Sequence, residues 1–419
     1  MQDLFQKKLL VMKKKTRINI NTSFKIYIKV FFNFIFNKGN ENKEIFKKSL
    51  RNFLFTDNIL LTSQGRVAAY NIFKVILSKK KNEILISPYT LTEIINAIIY
   101  AGGKPIYVDI DINKGLPLEN DLDQKININT AGLILTHLYS NKDDILNFHK
   151  KYNGKIKIIE DAAINFGAKI DEQRFLGTLF DYGFYSFGVM KHLCTFNGGA
   201  IYSKDKTKYE EIEKNLKKNF NYPLIKSLRL IFFCILIDIF YSKYIYPYFT
   251  HFILKLSIKK LEKITYPNLY PKLYKLTPSH YNYYFQSNFS IAGIENLKNL
   301  NNKIKSRIEK VKLYENYIDK ILKINNFSYY EINSFLEYPI LLKKNSNRFI
   351  GKKLMKLGYD IRHTWYVNST RYLNLDYSLK SFPNCQHLHE KVLSLPTHNK
   401  ITEEDIIKIC ELINFYEEV

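Results

Sequence analysis

Short strand-like apolar runs alternate with runs of helical period through residues 58–204, and this alternation constrains the fold more than any other feature of the chain. EILIS (83–87) reads as a strand, and LTEIINAIIYAGG (91–103) as a helix stopped by Gly102 and Gly103. PIYVDID (105–111), AGLILTHLY (131–139) and KIKIIEDA (155–162) read as further strands. Between the last two, DDILNFHKKYNG has helical spacing and a glycine stop. Strands that alternate with helices pair mainly in parallel, under helices on both faces. Ligands of such sheets sit beyond the carboxyl ends of the strands, so polar residues there carry the functional question.

At 419 residues the chain is longer than one core usually grows, and two domains are expected. The reading is a basic, apolar N-terminal segment (1–57), a large domain (58–293) and a smaller α+β C-terminal domain (294–419). The last holds a Lys-rich amphipathic helix (294–322), a strand (335–344), a helix (347–360) and a final helix opened by the capping box TEED (402–405). An apolar helical insertion (222–262) interrupts the large domain. Its run 230–240 is shorter than the ~20 residues a membrane-spanning helix needs. A buried or interfacial helical pair is expected, with 222–256 a candidate for peripheral contact with a membrane surface. The stretch 24–37 is also apolar but carries Lys25 and Lys29, so it is expected to pack or lie on a surface.

The N-terminus does not read as a secretory signal, because Asp3 comes early and a long apolar run is missing. Four scattered cysteines without a CxxC pair indicate neither a disulfide framework nor a zinc site, and the cytoplasm is the expected location, with a peripheral place at the inner membrane surface through 222–256. The net charge of +25 suits nucleic acid, anionic lipid or nucleotide-linked substrates alike. Its lysines are spread along the chain, no nucleic-acid motif accompanies them, and no nucleic-acid partner is expected.

The informative stretch is 158–205. It puts Asp161 at one strand end and Ser186 with Phe187 at another, then Lys191 in the following turn and Gly198-Gly199 before the strand AIYS. A loop lysine beside a strand-end acid suits Schiff-base chemistry: the amine must be partly neutral to attack a carbonyl, and lysine loses its charge readily when desolvated. His137, His192 and His363 read as packed or exposed side chains, and His387 with His389 as a helix surface; no metal site is expected. Trp365 and Tyr366 suit a substrate mouth or the core equally.

EDAAINFG (160–167), SFGVMK (186–191) and NGGA (197–200), in this order, resemble the DegT/DnrJ/EryC1/StrS aminotransferases, which use pyridoxal 5′-phosphate (PLP) in the type I fold. SQGRVAAY (63–70), the stretch 87–111, THLYS (136–140) and the closing 382–406 extend the resemblance from about Thr62 to the C-terminus. It implies an α/β fold with a mainly parallel seven-stranded sheet, PLP as cofactor and a homodimer with sites at the subunit boundary. Lys191 would hold the cofactor and shuttle the proton, and Asp161 would face the pyridine nitrogen. Ser186, Gly65 and Arg66 would bind the phosphate, and Asn282 would reach the neighbouring subunit's phosphate.

Two positions depart from the pattern. Ile164 stands where relatives place a hydrogen-bonding Gln or His near the ring oxygen. Leu91 stands where an aromatic ring often covers the cofactor, unless Tyr89 takes that part. The expected activity is transfer of an amino group, from glutamate, onto a nucleotide-linked keto-sugar in surface polysaccharide or antigen synthesis. The alternative is a relative that no longer transaminates and serves regulation or assembly.

Overall fold

The computed structural model describes residues 14–20, 22–36, 38–256, 281–324, 332–363, 366–371 and 381–418. Trp365, the His363 side chain, residues 1–13 and the end of the insertion (257–262) lie outside the described residues.

The strands of the large domain are β1 (Ile59–Thr62), β2 (Glu83–Ile86), β3 (Tyr89–Thr90), β4 (Lys104–Tyr107), β5 (Thr130–Thr136), β6 (Ile158–Asp161), β7 (Tyr182–Ser186) and β8 (Gly199–Ser203). Those of the C-terminal part are β9 (Glu337–Leu341), β10 (Arg362–His363), β11 (Val367–Asn368) and β12 (Val392–Pro396). Seven of them form one sheet in the order β1-β8-β7-β6-β5-β2-β4. The pairs from β4 to β7 are all parallel, and β8 runs antiparallel to both β7 and β1. The expected mainly parallel, seven-stranded sheet is present. Its one reversal matters: antiparallel neighbours need no crossover, so residues 187–198 fold back locally beyond the end of β7.

Fourteen helices are described: α1 (Phe24–Ile35), α2 (Gly39–Leu54), α3 (Gly65–Ile76), α4 (Thr92–Tyr100), α5 (Glu119–Lys125), α6 (Lys142–Tyr152) and α7 (Lys206–Leu216), then α8 (Leu224–Phe240), α9 (His251–Leu256), α10 (Ser290–Lys298), α11 (Leu300–Tyr317), α12 (Asn347–Lys356), α13 (Pro383–Lys391) and α14 (Glu403–Glu418). Successive strand side chains point to opposite faces, so each central strand feeds two cores. Ile84, Ile86, Ile134 and Ile159 pack with residues of α3 and α4, whereas Leu85, Leu133, Leu135 and Ile158 pack with residues of α2 and α6. The N-terminal segment is therefore built into the large domain: Phe46, Leu50 and Leu54 of α2 are buried in the second core.

The C-terminal part carries a three-stranded sheet, β10-β12-β9, and a two-stranded ladder of β11 with β3. That ladder pairs Val367 with Thr90 and Asn368 with Tyr89, tying the turn after β2 to the distant end of the chain. The capping box at α14 is reciprocal: Thr402 N–H donates to Asp405 Oδ2 (2.8 Å) and Asp405 N–H to Thr402 Oγ1 (3.3 Å). In the insertion, α8 leads through a π-helical turn (Tyr246–Thr250) into α9. Among the described residues no helix is long and apolar enough to cross a membrane.

Candidate active site

Strand alternation assigns the two acids of the EDAA stretch to different tasks. Glu160 points to the face of Ile158 and is fully buried, where its carboxylate accepts the N–H groups of Gly177 (2.8 Å), Leu179 (2.7 Å) and Phe180 (2.9 Å) and lies 2.8 Å from His137 Nε2. It anchors a loop. Asp161 shares the opposite face with Ile159 at the carboxyl end of β6. One oxygen, Oδ1, accepts the Ala163 N–H at 3.0 Å; the other, Oδ2, is buried and has no hydrogen-bond partner among the described residues. Burial pushes the Asp161 carboxyl above the ordinary range, against the Ala163 N–H and the charges of Lys191 and His137.

Lys191 lies in the 187–198 loop, whose backbone turns through a Lys191 N–H bond to the Gly188 carbonyl (3.0 Å) and a Thr195 N–H bond to that of Phe187 (2.9 Å). Burial holds its amine below the ordinary lysine range, and the nearby carboxylates of Asp161, Glu337 and Glu93 counter it. Lysine and acid thus act on each other inside a desolvated site. The structure brings Lys191 within electrostatic reach of Asp161.

The third component is a cradle at the start of α3. Ser186 shares its face of β7 with Tyr182 and Phe184, the side on which α3 packs. A Cβ on Gly65 would come within 2.9 Å of Ser186 Cβ, and a Cβ on Gly199 within 2.8 Å of Gly65 N. Only glycine permits that approach. The N-cap residue Gln64 makes no side-chain capping bond, so the first-turn amides of Gly65 and Arg66 open an anion site beside the Ser186 hydroxyl. Arg66 is partly buried next to Tyr281, where its charge opposes the burial that pushes the phenol up to about 12.

The profile of the DegT/DnrJ/EryC1/StrS aminotransferase family matches residues 27–220 and 269–414. The chain belongs to this family. It is 30% identical over 192 residues to a dTDP-4-amino-4,6-dideoxy-D-glucose transaminase of Shigella dysenteriae, covering 44% of this chain and 49% of that one. With the transaminase of the same name from Escherichia coli it shares 24% over 388 residues, 90% of each chain. Among solved structures, an E. coli GDP-4-keto-6-deoxy-D-mannose-3-dehydratase with bound hydrated PLP superimposes with a TM-score of 0.72 at 16% identity, over 96% of this chain and 100% of the other.

Membership in this aminotransferase family makes the chain a transaminase with PLP as cofactor, and its residues fit that group. The orphaned Asp161 oxygen suits a protonated ring nitrogen, the glycine-lined cradle suits a phosphate, and the desolvated Lys191 suits an aldehyde. Tyr89 and Ile164 line one cavity with Tyr366, Asn165 and Glu337. The Asp161 and Glu337 charges reinforce the burial that pushes the Tyr366 phenol upward. Leu91 is not on that wall; it is the N-cap of α4 and packs on the core. Of Leu91 and Tyr89, only Tyr89 lines this cavity, which it shares with Tyr139 and Tyr366. Ile164 offers no hydrogen bond there, and its neighbour Asn165 is engaged, donating to the His137 carbonyl (2.9 Å) and accepting from Ser334. Asn282 accepts the Phe220 N–H through its carbonyl (2.8 Å), and no hydrogen bond joins its side chain to the cradle among the described residues.

Glu337 and Glu93 were invisible as site residues in the sequence. An isolated acid opening the strand β9, and another in the first turn of α4, carry no motif; only the fold brings them to Lys191. His192, read as packed or exposed, is buried with Nε2 3.0 Å from Ser334 Oγ. His389, read with His387 as a helix surface, is buried instead: it lies on the inward face of α13, where its Nδ1 accepts the Asn368 N–H. A much larger cavity, about 1070 Å³, opens between α1, α8 and α11 and is lined by none of these site residues.

Proposed function

We propose that the protein moves an amino group from glutamate onto a keto-sugar carried by a nucleotide, in the synthesis of surface polysaccharide or antigen. The observation that carries this reading is the buried Asp161, with one oxygen unengaged, on the same face as Ser186 and within electrostatic reach of the desolvated Lys191. The substrate class is supported by the sugar transaminases that the chain resembles and by a net charge of +25, which draws in a nucleotide diphosphate.

In this reading Lys191, its charge disfavoured by burial, would hold the cofactor through its aldehyde carbon and give way to a donor amine. Its freed Nζ then takes the proton from the donor Cα and returns one at C4′, and does the reverse for the acceptor. PLP, when bound, supplies the electron sink. The Asp161 carboxylate keeps the ring nitrogen protonated. Ser186 Oγ, the Gly65 and Arg66 amides and the Arg66 guanidinium would hold the phosphate, Tyr89 would pack on the ring, and Ile164 would offer the ring oxygen no side-chain hydrogen bond. The family likeness implies a homodimer as the working unit, in which Asn282 would reach the phosphate of the second subunit. Four free, buried cysteines suit the cytoplasm.

The test is spectroscopic. L-glutamate added to the loaded protein should bleach the visible band of the lysine-bound cofactor and release 2-oxoglutarate. A nucleotide-linked keto-sugar should then restore the band. A band that persists with glutamate would remove the donor assignment, and one that no amino acid bleaches would end the transaminase reading.

A further inference from the structure

Three helices away from the site leave apolar faces uncovered. On α1, Phe24, Ile28, Phe31, Phe32, Ile35 and Phe36 are exposed, Phe24 by 72% and Phe31 by 57%, while Ile26, Tyr27, Val30 and Asn33 are buried against the body. On α8, Ile225, Leu228, Phe232 (62%) and Ile239 are exposed and Ser227 and Cys234 face inward. On and just before α9, Phe249, Phe252 and Leu256 (72%) continue the pattern. A surface helix of a globular protein ordinarily turns its polar face outward. Here the outward face is aromatic and aliphatic, and apolar patches of this kind mark contact surfaces.

These helices are held together, and two of the three lie outside the family match. The Tyr27 hydroxyl donates to Asp238 Oδ2 at 2.7 Å, joining α1 to α8, and Lys14 Nζ donates to the Pro247 carbonyl at 2.6 Å, in the turn before α9. Both α8 and α9 fall in the stretch that the family profile leaves unmatched, whereas α1 is matched from Tyr27 onward. The chemistry common to the family does not account for this surface.

Charge selects the occupant. Residues 14–36 carry Lys14, Lys15, Arg17, Lys25 and Lys29 and no acid, although Lys15 and Lys29 are paired with Asp405 (2.8 Å) and Glu295 (3.0 Å) of other segments. Residues 222–256 carry Lys226, Arg229, Lys243 and Lys255 against a single acid, Asp238, which is occupied by Tyr27. A second copy docking through this face would set cations against cations. An anionic bilayer supplies opposite charge at its headgroups and an apolar boundary for the rings, which is the way interfacial helices bind. We propose that α1, α8 and α9 seat the protein on an anionic membrane surface, with the phenylalanine and isoleucine side chains in the acyl boundary and the lysines at the headgroups.

Co-sedimentation of the full, cofactor-loaded chain with vesicles tests this. Vesicles of phosphatidylcholine mixed with phosphatidylglycerol should pellet the protein and release it as salt rises, while phosphatidylcholine alone should bind it at least ~10-fold more weakly. The exposed double changes F232S/F252S and F31S/F32S should each lower partitioning by roughly 10-fold or more, and K226E/R229E should lower it by about 10-fold or more. An unchanged cofactor band certifies the fold of each variant. The proposal is overturned if the unaltered chain does not pellet with anionic vesicles at low salt, or if the variants pellet as it does. It is equally overturned by a self-associated chain that ignores vesicles and is dispersed by F232S/F252S, which would assign the face to a second copy.

Discussion

An amine that attacks a carbonyl has to be neutral, and at Lys191 burial favours that form while Asp161, Glu337 and Glu93 oppose it. The sign of the coupling is testable. The neutral fraction of Lys191 rises with pH through its pKa, and the Asp161 charge holds that pKa up; removing the charge lets it fall. In Asp161→Asn, the pH at which PLP capture by the cofactor-free protein reaches half its maximal rate should therefore move down, and transamination should drop by roughly 10²–10³-fold. An unmoved half-point would separate the two residues. Lys191→Ala should lose the visible band and, as the proton carrier, about 10²–10⁴-fold in rate, measured with PLP still bound. These residues were legible in the sequence because an acid at a strand end and a lysine in the next loop form a local pattern. The division of labour between Glu160 and Asp161 followed from alternation alone, once β6 was fixed. Glu337 was not legible, because its approach to Lys191 depends on a domain contact between residues far apart in the chain.

Elements set where those side chains point. The amino end of α3 meets the end of β7 so closely that one methyl group decides whether the cradle stays open. Gly65→Ala would put a Cβ 2.9 Å from Ser186 Cβ, into the space where the first-turn amides and the Ser186 hydroxyl converge. Alanine suits a helix better than glycine does, which offsets part of the packing cost to the fold. Affinity for PLP should weaken by at least ~10-fold, equivalent to about 1.4 kcal/mol, in a spectroscopic titration. Overpacking should take about 1–3 kcal/mol from the folded state in denaturation. Affinity left intact would mean that the phosphate sits elsewhere. Strand and helix identities were readable from apolar period. The reversal of β8 was not, since a short loop between two apolar runs does not state which way the second one runs. Nor did composition reveal that α2 belongs to the core: Phe46, Leu50 and Leu54 recur at helical spacing, but their partners come from the far layer of the sheet.

On the scale of the whole molecule, the site is completed where the C-terminal part docks. Asp161, Ser186 and Lys191 come from the large sheet, whereas Glu337 and Tyr366 arrive from the C-terminal part. Among the contacts that hold it there are the β3–β11 ladder, the Ser334–Asn165 and Ser369–Tyr107 hydrogen bonds, and a cap supplied from afar. Asp109, just past β4, accepts the N–H groups of Asn384 (3.2 Å) and Cys385 (3.0 Å) at the start of α13, and Asn384 Nδ2 returns a bond to the Ile110 carbonyl (2.9 Å). A helix amino end has unsatisfied donors, and here a carboxylate from the other domain satisfies them. Length alone leads to the expectation of two domains. The docking could not be read, because these partners lie 276 residues apart for Cys385 and no local signal marks Asp109 as a cap. Asp109→Ala should cost about 1–2 kcal/mol in chemical denaturation. If the C-terminal part also completes the substrate wall, that loosening should raise KM for the acceptor several-fold while the cofactor band and PLP affinity hold, since the cradle and Lys191 stay on the large sheet. A variant with lower stability but unchanged KM would show that the cap serves folding alone and that substrate does not depend on the docked wall.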